Sequence, residues 1–168
     1  MAATIKLRCG EALDQVFEVD RRAAEFSKTI KKLVEDIPDL DAPIPLKSID
    51  GEFMALVIEY WVFHADVDTR RAAAGADAAK LAEVDADVAR FKADYMARVG
   101  ASQRVLFKLI LATNYLDSDD LLNELCTCVA NMIKGKTTEE IRATFSIKND
   151  FTEEEEAEVR RENQWAFE

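Results

Sequence analysis

The chain has 168 residues, 49% of them hydrophobic, enough to bury one good core and to form one domain or a domain with an appendage. Acidic residues outnumber basic ones by 33 to 22, and the net charge of -11 repels phosphate backbones and anionic membrane surfaces, which argues against nucleic acid and membranes as partners. No apolar run approaches the ~18 residues of a spanning helix, the opening MAATIKLRCGEALD lacks the apolar core of a signal peptide, and a cytoplasmic and nuclear location is expected.

TIKLRC and QVFEVD carry apolar residues at alternate positions and are separated by GEALD, so the chain is predicted to open with a β-hairpin. RRAAEFSKTIKKLVEDI then has helical spacing at Phe26, Ile30, Leu33, Val34 and Ile37, with Ser27 placed to cap a second helix within it; Pro38, Pro43 and Pro45 end that pattern. IPLK is a short strand, and its prolines assign it to an edge. Ser48 or Asp50 starts the next helix, whose Phe53, Leu56, Val57, Tyr60, Trp61 and Phe63 cover more than one face, so it is expected to be largely buried. Residues 65–82 are rich in alanine and charge and read as a solvated low-complexity insertion that a short Gly/Ser linker could replace.

Helical periodicity returns at Leu81, Val84, Val88, Phe91, Tyr95 and Val99, and VGAS breaks and recaps the chain. Between Val105 and Leu116 only Lys108, Thr113 and Asn114 are polar, a pattern expected of a helix lying between two layers of protein. LDSDD is a turn and cap, followed by a stripe of Leu121, Leu122, Leu125, Val129, Met132 and Ile133 that Gly135 ends. Thr137 with Glu140, and Thr152 with Glu155, stand at capping-box spacing and announce two short terminal helices. These helices have few apolar residues: Ile141 and Phe145 on one, Ala157, Val159 and Trp165 on the other, with Ile147 and Phe151 at the joints. Helices this short need tertiary contacts. Either they cap the domain core with Trp165 tucked beneath, or they form a platform whose apolar residues a partner completes. The whole is an α/β front half with a small sheet and a helical back half.

Nothing in the pattern points to chemistry. Cys9, Cys126 and Cys128 supply too few ligands for a structural zinc, and the last two diverge at i, i+2 on a helix. His64, the single histidine, ends an apolar run with no nucleophile recognisably beside it. There is no phosphate-cradling glycine loop. The reading is a non-enzyme with no catalytic residues, no metal and no cofactor.

The segments LILATNYLD, VANMIKGKT, EEIRATFSIKNDFTEEEEAEVRRENQW and, at the front, IKLRC and FEVDRRAAEFSKTIKKLVEDI resemble the S-phase kinase-associated protein adaptor family, the F-box-binding subunit of SCF-type cullin-RING ubiquitin ligases. The likeness spans roughly residues 4–64 and 95–168. It implies an α/β, BTB/POZ-like domain over residues 1–134 followed by two F-box-binding helices over 135–168. It implies two partners, a cullin N-terminal domain and F-box proteins, with no chemistry done by the adaptor itself. Carried over by position, Asn114 and Tyr115 match the cullin-contacting pair, while Leu122, Cys126, Val129, Ile133, Ile147 and Trp165 match the lining of the F-box groove. From the residues alone, Tyr115 reads first as a core tyrosine with a bonded hydroxyl, and the groove residues as ordinary helix-stripe core, Val129 and Ile133 at least in part.

Departures from the family pattern are the alanine-rich segment DVDTRRAAAGADAAKLAEVDADVARF, which also allows a helix, Thr138 where the family has proline, and Ala166 and Phe167 after the tryptophan. An adaptor role in ubiquitination is therefore expected, with an F-box-binding scaffold outside ubiquitin transfer, such as a kinetochore component, as the alternative. Weak self-association of the free protein through its uncovered apolar groove is also expected.

Overall fold

The computed structural model describes residues 4–12, 14–36, 42–163 and 165. The expectations for Ile37, Pro38, Ala166 and Phe167 lie outside them.

β1 (Thr4–Cys9) and β2 (Gln15–Asp20) form the predicted antiparallel hairpin, in a register that opposes Ile5 to Val19 and Leu7 to Phe17. β3 (Ile44–Leu46) adds in parallel to the other side of β1, giving the order β2-β1-β3. Pro45 thus sits on an edge strand, where its missing N–H interrupts no ladder. Alternation aims Ile5, Leu7, Cys9 and Val19 into the core. Burial pushes the Cys9 thiol up to about 11, so it behaves as a small protonated hydrophobe.

α1 (Arg21–Ala24) is capped by the Asp20 carboxylate, which accepts from the Arg22 N–H at 2.8 Å. α2 (Lys28–Asp36) begins at Ser27 as predicted: the Ser27 hydroxyl accepts from the Ile30 N–H at 3.0 Å and donates to the Leu116 carbonyl at 2.5 Å. A buried hydroxyl with both functions satisfied ties the first helices to the centre of the fold.

α3 (Gly51–Ala74) and α4 (Ala78–Gly100) correct the reading of residues 65–82 as a low-complexity insertion, while its solvated character holds: Val67 and Ala74 are the buried residues of the segment. The segment is helix nearly throughout, forming the tip of an antiparallel pair that turns at Gly75 (φ 56°) and restarts at Asp77, whose carboxylate accepts from the Ala79 and Lys80 N–H groups. Alanine is the strongest helix former, so a run that looks featureless to a search for apolar periodicity propagates the helix. Val67, Ala74 and Val84 are buried, and Arg70–Asp87 and Arg71–Asp85, each at 2.7 Å, bridge the pair. At its root the Phe63 and Phe91 rings stack at 3.8 Å, and Tyr95 donates to the Leu56 carbonyl at 3.0 Å.

α5 (Gln103–Tyr115) starts on Ser102, whose hydroxyl accepts from the Val105 N–H. Contrary to the expectation of a helix between two layers, it is covered on one side only: Leu106, Leu109, Ala112 and Thr113 are buried, while Phe107, Leu111 and Tyr115 are exposed. α6 (Asp119–Ile133) buries Leu121 and Leu125. α7 (Thr138–Phe145) and α8 (Glu153–Glu162) each begin with a complete capping box, on Thr137 with Glu140 and on Thr152 with Glu155.

The fold divides into two compact units, residues up to Ala130 and residues from Asn131. The division falls inside α6, ahead of the Gly135 boundary read from the sequence, because no α6 residue beyond Leu125 is buried.

Candidate functional site

The end of α5 is held rigidly. Leu116 is buried, Asp117 takes a left-handed φ of 51°, and the Ser118 N–H returns to the Thr113 carbonyl at 3.0 Å. Lys28 pairs with Asp119 and reaches Asp117 at 3.8 Å, and the Thr29 hydroxyl donates to the Tyr115 carbonyl at 3.3 Å. These anchors present Asn114 and Tyr115 together at the surface, with Tyr115 47% exposed, so its reading as a core tyrosine does not hold. Leu111, one turn earlier, is 65% exposed. The sequence singled out neither Leu111 nor Phe107; an amphipathic stripe would have revealed them, but between Val105 and Leu116 the helix is apolar almost all round.

α6 carries two apolar stripes side by side. Leu121 and Leu125 face inward; Leu122, Cys126, Val129 and Ile133, spaced by four, three and four, lie on the neighbouring face and are only partly covered. The core reading of Val129 and Ile133 is therefore incomplete: Val129 is half-buried and Ile133 is 38% exposed. Cys126 is an exposed free thiol.

The second unit is held by charge more than by apolar packing. Neither α7 nor α8 has a fully buried residue. Arg142 pairs with Glu156 at 3.1 Å and lies over the Phe151 ring at 5.9 Å, while Arg160 bridges to Glu139 at 2.5 Å. Between the two helices runs an open groove of about 790 Å³ whose apolar residues are Ile141, Phe151 and Val159. Ile147 is 54% exposed and Trp165 76% exposed, so Trp165 is not tucked beneath its own helices. Ile141 and Val159 were legible as helix residues and Phe151 as a joint residue, but none as groove lining, which depends on how α7 and α8 pair.

Among the described residues no three of His, Cys, Asp and Glu are grouped to hold a metal, and no helix is long and apolar enough to cross a membrane. His64 lies in an aromatic cluster, 4.2 Å from the Tyr60 ring and in edge contact with Phe63 and Phe91. Burial pushes its imidazole below the ordinary histidine value, which suits packing.

A three-stranded sheet backed by helices, with two capped helices appended and partly uncovered apolar residues on α5 and α6, defines a BTB/POZ-like α/β protein. The Skp1 family tetramerisation domain matches residues 13–66 and the Skp1 family dimerisation domain matches residues 119–166. SKP1-like protein 1A of Arabidopsis thaliana is 49% identical over 152 residues, covering 90% of this chain and 91% of the relative. SKP1-like protein 20 of Oryza sativa subsp. japonica is 49% identical over 173 aligned positions, covering 99% and 95%. The SCF ubiquitin ligase complex protein SKP1b of Dictyostelium discoideum is 43% identical over 152 residues, covering 90% of each. The chain belongs to the Skp1 family.

Proposed function

We propose that this protein is the adaptor of an SCF-type E3 ubiquitin ligase. In this reading the exposed end of α5, with Asn114 and Tyr115, docks a cullin N-terminal domain. The outer stripe of α6, Leu122, Cys126, Val129 and Ile133, together with Ile147 and Trp165 of the second unit, takes the F-box of an interchangeable substrate receptor. The protein does no bond chemistry; it holds substrate beside the ubiquitin-charged enzyme and so raises an effective concentration.

The observation that carries this reading is the doubled stripe of α6, half of it buried in the fold and half left partly uncovered in a chain that also leaves a tryptophan in water. A contiguous uncovered apolar strip of this kind marks a protein-binding site. The names of the Dictyostelium relative above and of the SCF subunit sconC of Talaromyces marneffei, 38% identical over 174 aligned positions, support it. Titration calorimetry against a cullin N-terminal domain and against an F-box domain tests it. Asn114→Asp with Tyr115→Ala abolishes cullin binding and spares the F-box, while Val129→Asp does the reverse. F-box binding with no cullin binding in the parent protein would instead make the chain a scaffold outside ubiquitin transfer.

A further inference from the structure

Among the described residues, every arginine except Arg8 pairs with a carboxylate. Arg8 also holds the single buried side-chain nitrogen or oxygen that has no hydrogen-bond partner there, its Nε. The sheet explains how this comes about. β1 buries Ile5, Leu7 and Cys9, so alternation turns Lys6 and Arg8 to the opposite, outer face. Lys6 stands across from Glu18 of β2, whereas Arg8 stands between Val16 of β2 and Pro45 of β3. Val16 is 50% exposed and Pro45 is exposed, so this face is open on both sides of Arg8, which is itself only partly buried. Its stem gains packing, its Nε is covered, and no described residue answers its charge. An orphaned donor on an ionised group is costly and calls for a reason. Packing against Val16 and Pro45 needs only the methylene stem and does not account for the guanidinium.

We propose that Arg8 is the recognition point for one carboxylate side chain of a partner protein, carried on an extended segment that crosses the outer face of the sheet, with Val16 and Pro45 receiving the apolar residues on either side of it. The inference uses no residue of α5 or α6 and stands apart from the cullin and F-box readings. Charge complementarity selects the occupant. A carboxylate is the planar two-oxygen acceptor that fits the guanidinium fork, and meeting it can draw the group off the strand and give Nε the acceptor it lacks. The net charge of -11 repels a run of acidic residues, so the matching segment presents one carboxylate and not several. Spacing sets the rest. Neighbouring strands lie ~4.8 Å apart and alternate residues of an extended segment ~6.6 Å apart, so a glutamate over Arg8 places the residues two before and two after it near Val16 and Pro45.

Nuclear magnetic resonance of the full chain tests the assignment through the Arg8 Nε–H itself, whose burial slows its exchange with water. The probe is the blocked peptide Gly-Leu-Thr-Glu-Thr-Leu-Gly at millimolar concentration, compared with the same peptide carrying glutamine for glutamate and with inorganic phosphate. The Nε–H signal is expected to move saturably with the glutamate peptide, together with the backbone amides of Val16 and Leu46. The glutamine peptide is expected to bind roughly tenfold more weakly, and the glutamate peptide to lose as much on Arg8→Met. Arg8→Met keeps the stem and is expected to melt at or above the temperature of the parent, because the donor it removes has no partner. A lower melting temperature with unchanged peptide binding would make Arg8 structural and overturn the proposal. So would a signal that the glutamate peptide leaves in place, or that both peptides move equally. A shift that phosphate matches at the same concentration would mark an adventitious ion only. A shift on concentrating the protein alone would give the site to a second copy of the chain, and either result sinks the partner assignment.

Discussion

The indole N–H of Trp61 donates a 3.0 Å hydrogen bond to the hydroxyl of Ser118, and both residues are buried. This bond joins the middle of α3 to the turn between α5 and α6, so it braces the junction from which Asn114, Tyr115 and the α6 stripe project. Ser118→Ala leaves the indole donor without a partner in the core and is expected to lower stability by about 1–3 kcal/mol. Denaturant unfolding followed by tryptophan fluorescence measures this. Trp61→Phe combined with Ser118→Ala removes donor and acceptor together, and the coupling energy of the cycle reports the bond.

The α3–α4 pair is structural rather than dispensable. Val67 and Val84 are both buried, and fully burying a valine contributes roughly 1.5–3 kcal/mol. Replacing residues 66–80 by a Gly/Ser linker, or Val67→Ser alone, is expected to lower the unfolding midpoint clearly. Arg71→Ala breaks only an exposed bridge to Asp85, and an effect below about 1 kcal/mol is expected. Thermal unfolding of the three variants separates the apolar from the ionic contribution.

The second unit depends on its caps. The Thr152 N–H donates to the Glu155 carboxylate at 2.9 Å, which holds that carboxyl below the usual range, and the Glu155 N–H returns to the Thr152 hydroxyl at 3.3 Å. Thr152→Ala is expected to destabilise α8 by ~1 kcal/mol, and a short helix with no buried residue cannot absorb that loss. Hydrogen exchange is the direct measurement: amides of α8 lose protection while those of the sheet keep theirs.

Cys126 and Trp165 give independent readouts of the proposed F-box site. Cys126 is exposed and Cys9 fully buried, so a thiol reagent is expected to label Cys126 fast and Cys9 only on unfolding, with saturating F-box domain slowing the Cys126 reaction. Trp165→Ala is expected to leave the melting temperature unchanged, since the side chain is mostly in water, while F-box affinity falls by ~2 kcal/mol.

His64 sets a pH dependence. Burial, the largest influence, lowers its folded-state value; Asp120, Asp68 and Glu124 act in the opposite direction and Arg71 with the burial. Below pH ~6.5 the unfolded chain therefore binds the proton more readily than the folded one. The stability that neutral His64 contributes is full above that pH and declines as pH falls toward the folded-state value. Denaturant midpoints for the parent and His64→Phe between pH 7.5 and 5.5 are expected to show a decline in the parent that the variant lacks.

Much of this protein was determined by signals that act over a few residues. The caps at Ser27, Ser102, Thr137 and Thr152 are local hydrogen bonds between a side chain and the backbone three residues on, so the sequence alone placed the starts of four helices. The hairpin follows from alternation, and the edge position of β3 from a proline that cannot donate. The assignment of Asn114, Tyr115 and the α6 stripe to partners came from a family resemblance in the sequence, because spacing by itself favoured core for Tyr115 and allowed it for the stripe. Tertiary structure alone decided which faces meet. Periodicity could not orient α5, whose polar positions are too few to mark one face, and only the packing of Leu106 and Leu109 inward left Leu111 and Tyr115 outside. Nor could composition reveal that residues 65–82 turn one helix back on the next, since the bridge from Arg70 to Asp87 and the burial of Val67 and Val84 depend on how α3 and α4 pair. Local propensity specifies that a helix forms; which side of it is core depends on what the rest of the chain brings against it.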